Sequence, residues 1–148
     1  MKRFFVVLFL TAWLTPVSAF AIGEVFKIET KGTEYCDDFD AFKFNADNNV
    51  DLWVRIDSVT QLTVSFTPDF TPGTTFPMIG ETYSINSKSA AFVGGAVFED
   101  WSYVTIQGTA TFNKAGEVTK LKGTFIENGV PDEGCFSSGK FVTTQRLY

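Results

Sequence analysis

From Tyr103 to Phe112 the chain alternates with a period of two. Val104, Ile106, Gly108, Ala110 and Phe112 interleave with Tyr103, Thr105, Gln107, Thr109 and Thr111. That period, with many β-branched residues, predicts a strand with one face buried. Asn113-Lys114-Ala115-Gly116 breaks the pattern, and Gly116 is free to take the left-handed conformation that closes a hairpin. Setting Phe112 opposite Glu117 pairs Ala110 with Thr119, Gly108 with Leu121, Ile106 with Gly123 and Val104 with Phe125. In this register the large apolar side chains of both arms share one face, apart from Tyr103, Val118 and Ile126, and each glycine faces a bulkier residue. Slipping one arm by a single residue would mix Leu121 and Phe125 with Thr109 and Thr105.

The same reading extends along the chain. Strands are expected over Glu24–Lys31, Tyr35–Asn45, Val50–Asp57, Gln61–Thr67, Glu81–Asn86, Ala90–Phe98 and Phe136–Leu147. Gly32-Thr33 is read as a turn. Pro68 to Gly80, with three prolines and two glycines, is read as a long irregular loop and a candidate contact surface. About nine strands, short connections and no amphipathic helix predict an all-β, antiparallel domain, either an up-and-down barrel or a two-sheet sandwich.

Phe44-Asn45 precedes Val50 at the spacing that separates Phe112-Asn113 from Val118, with Asn48 in the place of Gly116. A hairpin over Phe39–Asp57 with Phe44 opposite Asn49 puts Phe39, Ala41, Val50, Leu52 and Val54 on one face. Phe42, Phe44 and Trp53 then lie on the other, beside Asp51 and Arg55. A strand pair that is apolar on both sides is either buried twice or presents one face to a ligand or partner. Phe42, Phe44 and Trp53 are therefore the candidate binding residues, weighed against extra core beneath the proline-rich loop.

The first residues change the picture of where this domain works. Lys2 and Arg3, the apolar run Phe4–Leu14, and Ala19-Phe20-Ala21 have the three parts of an export signal, with cleavage after Ala21 or, alternatively, Ala19. Removing 21 residues from 148 leaves 127, a single all-β domain over 22–148 that is periplasmic or secreted. Ten basic and seventeen acidic side chains then remain, a net charge of −7, which disfavours nucleic acid and anionic membranes as partners. Thirteen of the 17 phenylalanines remain too, enough for a real core. Cys36 and Cys135 are the two cysteines, and in an oxidising compartment they are expected to form a disulfide between the second strand and the last.

Catalytic chemistry finds little support. The chain has no histidine, which removes the commonest general base and the Ser-His-Asp and Cys-His arrangements. Asp37, Asp38 and Asp40 read as a solvated acidic turn. Asp47-Asn48-Asn49-Val50-Asp51 spaces oxygens as the start of a calcium loop does, but Leu52 stands where glycine is needed and Ser58 where glutamate is needed. No cofactor or metal is implied. In length and strand pattern the exported chain resembles the calycins, such as the lipocalins. Their glycine-x-tryptophan motif is missing, because Gly23 is followed by Glu24 and Val25. The chain ends on an aromatic, Tyr148, as many outer-membrane barrels do, but Lys140, Val142, Thr144 and Arg146 are too polar for a lipid face. The expected function is a binding module for an apolar or sugar-like ligand or a protein partner. The alternative is a structural or surface-assembly protein that uses edge-strand pairing.

Overall fold

The computed structural model describes residues 23–37, 39–98, 102–129 and 134–147; the expected signal segment lies outside the described residues. Among the described residues nine strands follow in order: β1 Val25–Cys36, β2 Phe39–Phe44, β3 Leu52–Ser58, β4 Gln61–Ser65, β5 Thr75–Asn86, β6 Ser89–Val97, β7 Tyr103–Phe112, β8 Val118–Asn128 and β9 Cys135–Arg146. Antiparallel pairing runs β1-β3-β4-β5-β6-β7-β8-β9, and β9 returns to β1. The result is a closed eight-stranded barrel, with β2 as an extra strand on β1. Of the two expected architectures, the barrel is the one formed. Among the described residues no helix is long and apolar enough to cross a membrane.

Strand alternation sorts the side chains as the pattern demands. Phe26, Val54, Ile56, Met78, Phe92, Ala110, Phe112, Leu121 and Phe141 form the buried interior. Phe26, Ile56 and Val118 are at most 2 % exposed and fill one end, where the tight β3–β4, β5–β6 and β7–β8 turns lie. Glu24 is buried at the same end and meets Arg146 at 2.7 Å. Its burial outweighs the Arg146 charge and a Val118 backbone hydrogen bond, so its pKa is raised. The longer connections leave the other end open.

The opening hairpin forms, but its register differs by two residues from the expected one. Gly108 faces Gly123, Ala110 faces Leu121, and Ile106 faces Phe125. Asn113 is the reason. Its Oδ1 accepts from the backbone N–H groups of Ala115 (2.9 Å) and Glu117 (3.0 Å), and this five-residue loop brings Phe112 against Val118. An irregularity between Thr111 and Phe112 absorbs the extra residue and turns Val118 into the core, reversing its expected outward place. A slip of two keeps every other side chain on its face.

The glycines do not face bulky partners either. Gly108–Gly123, Gly32–Gly139 and Gly80–Gly94 pair with one another across strands. In the first two pairs a phenylalanine on the next strand covers each glycine: Phe92 over Gly108, Phe141 over Gly123, Phe125 over Gly139 and Phe44 over Gly32. A Cβ on Gly32 would lie 2.7 Å from the Phe44 Cζ, and one on Gly139 would lie 2.9 Å from the Phe125 Cε1. Gly32-Thr33 is therefore no turn. β1 runs straight through it, pairing with β9 from Phe26 to Cys36.

Two further expectations are corrected. The Phe39–Asp57 hairpin does not form: β2 pairs with the end of β1, whereas β3 pairs with the start of β1 and with β4. Its turn chemistry survives, since Asn45 Oδ1 accepts the Asp47 N–H (2.8 Å) much as Asn113 does for Ala115. Asn48 does not adopt the left-handed conformation that Gly116 takes at φ 83°. The proline-rich loop is also shorter than expected, because β5 begins at Thr75 and includes Pro77. Pro77 sits opposite Thr63 on β4, and pairing with β6 starts only at Ile79, so the missing N–H interrupts no ladder.

Candidate functional site

Three successive rows of inward-facing residues build a cavity at the open end. Nearest the rim, Val104, Glu127, Ser137, Glu34 and Phe42 are cross-strand neighbours on β7, β8, β9, β1 and β2. Below them run Ile106, Phe125, Gly139, Gly32 and Phe44. Where those two glycines stand the wall carries no side chain of its own, and the Phe125 and Phe44 rings lie over them. Phe141, Met78 and Val64 close the bottom. The cavity volume is about 550 Å³, a size suited to a small molecule. Phe66, Phe76 and Phe98 add to the opposite wall, with ring centroids 5.8 and 5.4 Å apart in sequence.

Below the rim the lining is mostly apolar, and the hydroxyl of Thr30, cross-strand from Phe141, accepts a hydrogen bond from the Asn49 side chain. Glu127 keeps contact with water in the mouth, yet the surrounding wall desolvates it in part. That desolvation, followed by repulsion from Glu34, raises its pKa above the usual carboxylate value. Neither Glu34 nor Glu127 has an ion-pair partner among the described residues. Among the described residues no lysine or arginine lines the cavity.

Cys36 and Cys135 are directly paired across β1 and β9, and their disulfide joins residues 99 apart in sequence. It clasps the end of the first strand, not the second as expected, to the start of the last. The Glu34 carboxylate lies within 4.8 Å of the two sulfurs. Both sulfurs are committed to the S–S bond, so this trio is not a metal centre.

Of the three expected binding residues, the structure unites two. Phe44 is buried at 9 % exposure against Phe125 at 6.1 Å, and Phe42 stands at the rim at 52 % exposure. Trp53 is on the outer wall, opposite Lys27 on β1, whose Nζ lies 5.9 Å from its ring. The missed residues are Glu34 and Glu127. A signal for Glu127 was present, because it continues the inward phase of Leu121, Gly123 and Phe125.

Of the candidate loop, Phe76 and Met78 belong to β5 and line the cavity, whereas residues 68–74 do not. Phe66 N–H donates to the Thr74 carbonyl at 3.0 Å, and the Phe70 ring, at φ 54°, packs on the outer-wall Arg55 guanidinium at 4.7 Å. A larger concavity of about 1080 Å³ lies on the outside, where Lys31 directly faces Lys140 and Lys122 is diagonal to it. Its basic surface is distinct from the acidic rim.

The fold and site together define a closed antiparallel β-barrel with an apolar cavity open at one end. Comparison with protein-family models, curated proteins and solved structures finds no significant match for this chain.

Proposed function

We propose that this protein is an exported binding module that takes an apolar molecule into the end-opening cavity. The observation that carries the reading is the cavity itself. About 550 Å³ of space is walled by Phe44, Phe125, Phe141, Ile106, Val64 and Met78, in a barrel whose other end is closed by Phe26, Ile56 and Val118. Phe42 and Phe44 are the expected contact residues that belong to it; Trp53 is not part of it. Export rests on the sequence of Met1–Ala21, and the Cys36–Cys135 disulfide is compatible with an oxidising compartment.

The neutral fluorophore N-phenylnaphthylamine tests the reading. Saturable, one-to-one fluorescence enhancement is expected with the oxidised protein and is lost in Ile106→Trp, which fills the cavity, provided that variant keeps a β-type circular dichroism spectrum. No enhancement with the wild type, or equal enhancement with a folded Ile106→Trp, refutes it. Native mass spectrometry of protein isolated from its own source would catch a co-purifying ligand.

Edge-strand assembly is the second reading. It is favoured by one observation: among the described residues β2 pairs with β1 and with no other strand, so its second edge has no strand partner there. Asp40 and Lys43 on this six-residue strand work against it, since charges blunt edges. Concentration-dependent assembly in size-exclusion chromatography, abolished by Ala41→Pro, would favour it over ligand binding.

A further inference from the structure

We propose that the ligand of this cavity is a cationic amphiphile, an apolar chain or ring system that carries a protonated amine at one end. The inference rests on the cavity-binding reading above and names the chemistry of the headgroup. The three rows are ordered by polarity along the barrel axis: carboxylates at the rim, phenylalanines in the middle, and Phe141, Met78 and Val64 at the bottom, where the Thr30 hydroxyl is already engaged by Asn49. A ligand that fills such a space must carry its polar end outward.

The rim has one sign of charge. Glu127 on β8 and Glu34 on β1 flank Ser137 on β9, so the two backbones stand about 10 Å apart across two strand spacings. Their side chains enter the mouth from two sides, with the Ser137 hydroxyl between them. An ammonium group donates up to three hydrogen bonds, and this row offers three oxygen-bearing side chains. A carboxylate or phosphate headgroup would instead be a further anion beside two that already repel each other. Among the described residues no lysine or arginine stands in the lining to neutralise the pair. The basic residues Lys31, Lys122 and Lys140 are on the outer surface, exposed and out of phase with the cavity.

Isothermal titration with decylamine, decanol and decanoate, each below its aggregation threshold, tests headgroup and cavity separately. The expected order is decylamine tightest, by about tenfold over decanol, with decanoate weakest. The double variant Glu34→Gln/Glu127→Gln is expected to lose that preference, binding decylamine no more tightly than decanol. Raising the salt concentration should narrow the gap, as for any partly exposed charge pair. If decanol binds but decylamine binds no better, or decanoate binds equally well, the headgroup inference is overturned and the cavity reading stands. If the double variant keeps the full preference for the amine, these carboxylates are not its source and the inference is likewise overturned. If none of the three binds, the cavity reading itself fails.

Discussion

Gly123→Ala puts a single methyl group where the barrel has no space for it. The added Cβ would lie 2.1 Å from the Gln107 carbonyl oxygen, 2.8 Å from the Gly108 Cα and 2.8 Å from the Phe141 Cζ. Two of those three neighbours are backbone on the adjacent strand, so they cannot rotate away, and β7 must separate from β8. Overpacking of a tight interior costs about 1–3 kcal/mol, and a backbone obstacle points to the upper end. Alanine recovers about 0.5–1 kcal/mol of chain entropy relative to glycine in a strand. The net expectation is a loss of about 2 kcal/mol, or a fall in Tm of about 8 °C for a domain of this size. Gly94→Ala is the control. It lies in the same kind of glycine pair, but its Cβ would meet Ile79 O at 3.1 Å and Gly80 Cα at 3.4 Å, so a shift of a few tenths of an ångström suffices. Its expected effect is within about 0.5 kcal/mol of neutral. Urea and thermal unfolding of both oxidised variants measure the difference. If Gly123→Ala matches the wild type, or if both variants lose the same stability, close strand approach is not what these glycines provide.

Three further outcomes follow from other parts of the molecule. Replacing both Cys36 and Cys135 with serine opens a loop whose ends are 99 residues apart. The expected loss is about 4 kcal/mol in urea unfolding, an upper figure because it takes the unfolded chain as featureless. Glu127 has a raised folded-state pKa, so the native state binds its proton more tightly than the unfolded chain does, and stability falls as pH rises from the unfolded value through the folded one. Glu127→Gln should therefore raise Tm at neutral pH and have no effect well below pH 4.5; a constant difference across that range would contradict the linkage. In a Trp101→Phe background, Trp53 emission should be quenched by iodide and should not change when the cavity fills. A blue-shifted, shielded emission that responds to ligand would put Trp53 inside, contrary to its place beside Lys27.

The opposing faces of the strands were legible because side-chain direction has a period of two, and that period is a local property. Val54, Ile56, Val64, Phe92, Ala110, Phe112 and Leu121 are buried where the alternation puts them. Register was not legible to the same degree. A slip of two residues keeps every side chain on its face, so hydrophobic pattern alone could not choose between Gly108 opposite Leu121 and Gly108 opposite Gly123. Asn113, which tightens the loop through its own side chain, made the choice. Gly32 shows the same limit from another side. Glycine serves turns and close strand contacts equally well, and only the partner Gly139, more than a hundred residues later, decides which.

The amino-acid sequence by itself determined that this chain is all-β, that its phenylalanines face one way along most strands, and that its two cysteines suit a bond from the early part of the domain to its last strand. Tertiary structure alone decided that the sheet closes, that β2 abandons β3 for β1, and that Phe42 and Phe44 part from Trp53. It also brought Glu34 and Glu127, 93 positions apart by their numbers, to one rim. The reason is that alternation is written in neighbouring residues, whereas the neighbour of a strand is chosen by closure of the whole barrel. A cavity belongs to that closure and to no segment of the chain.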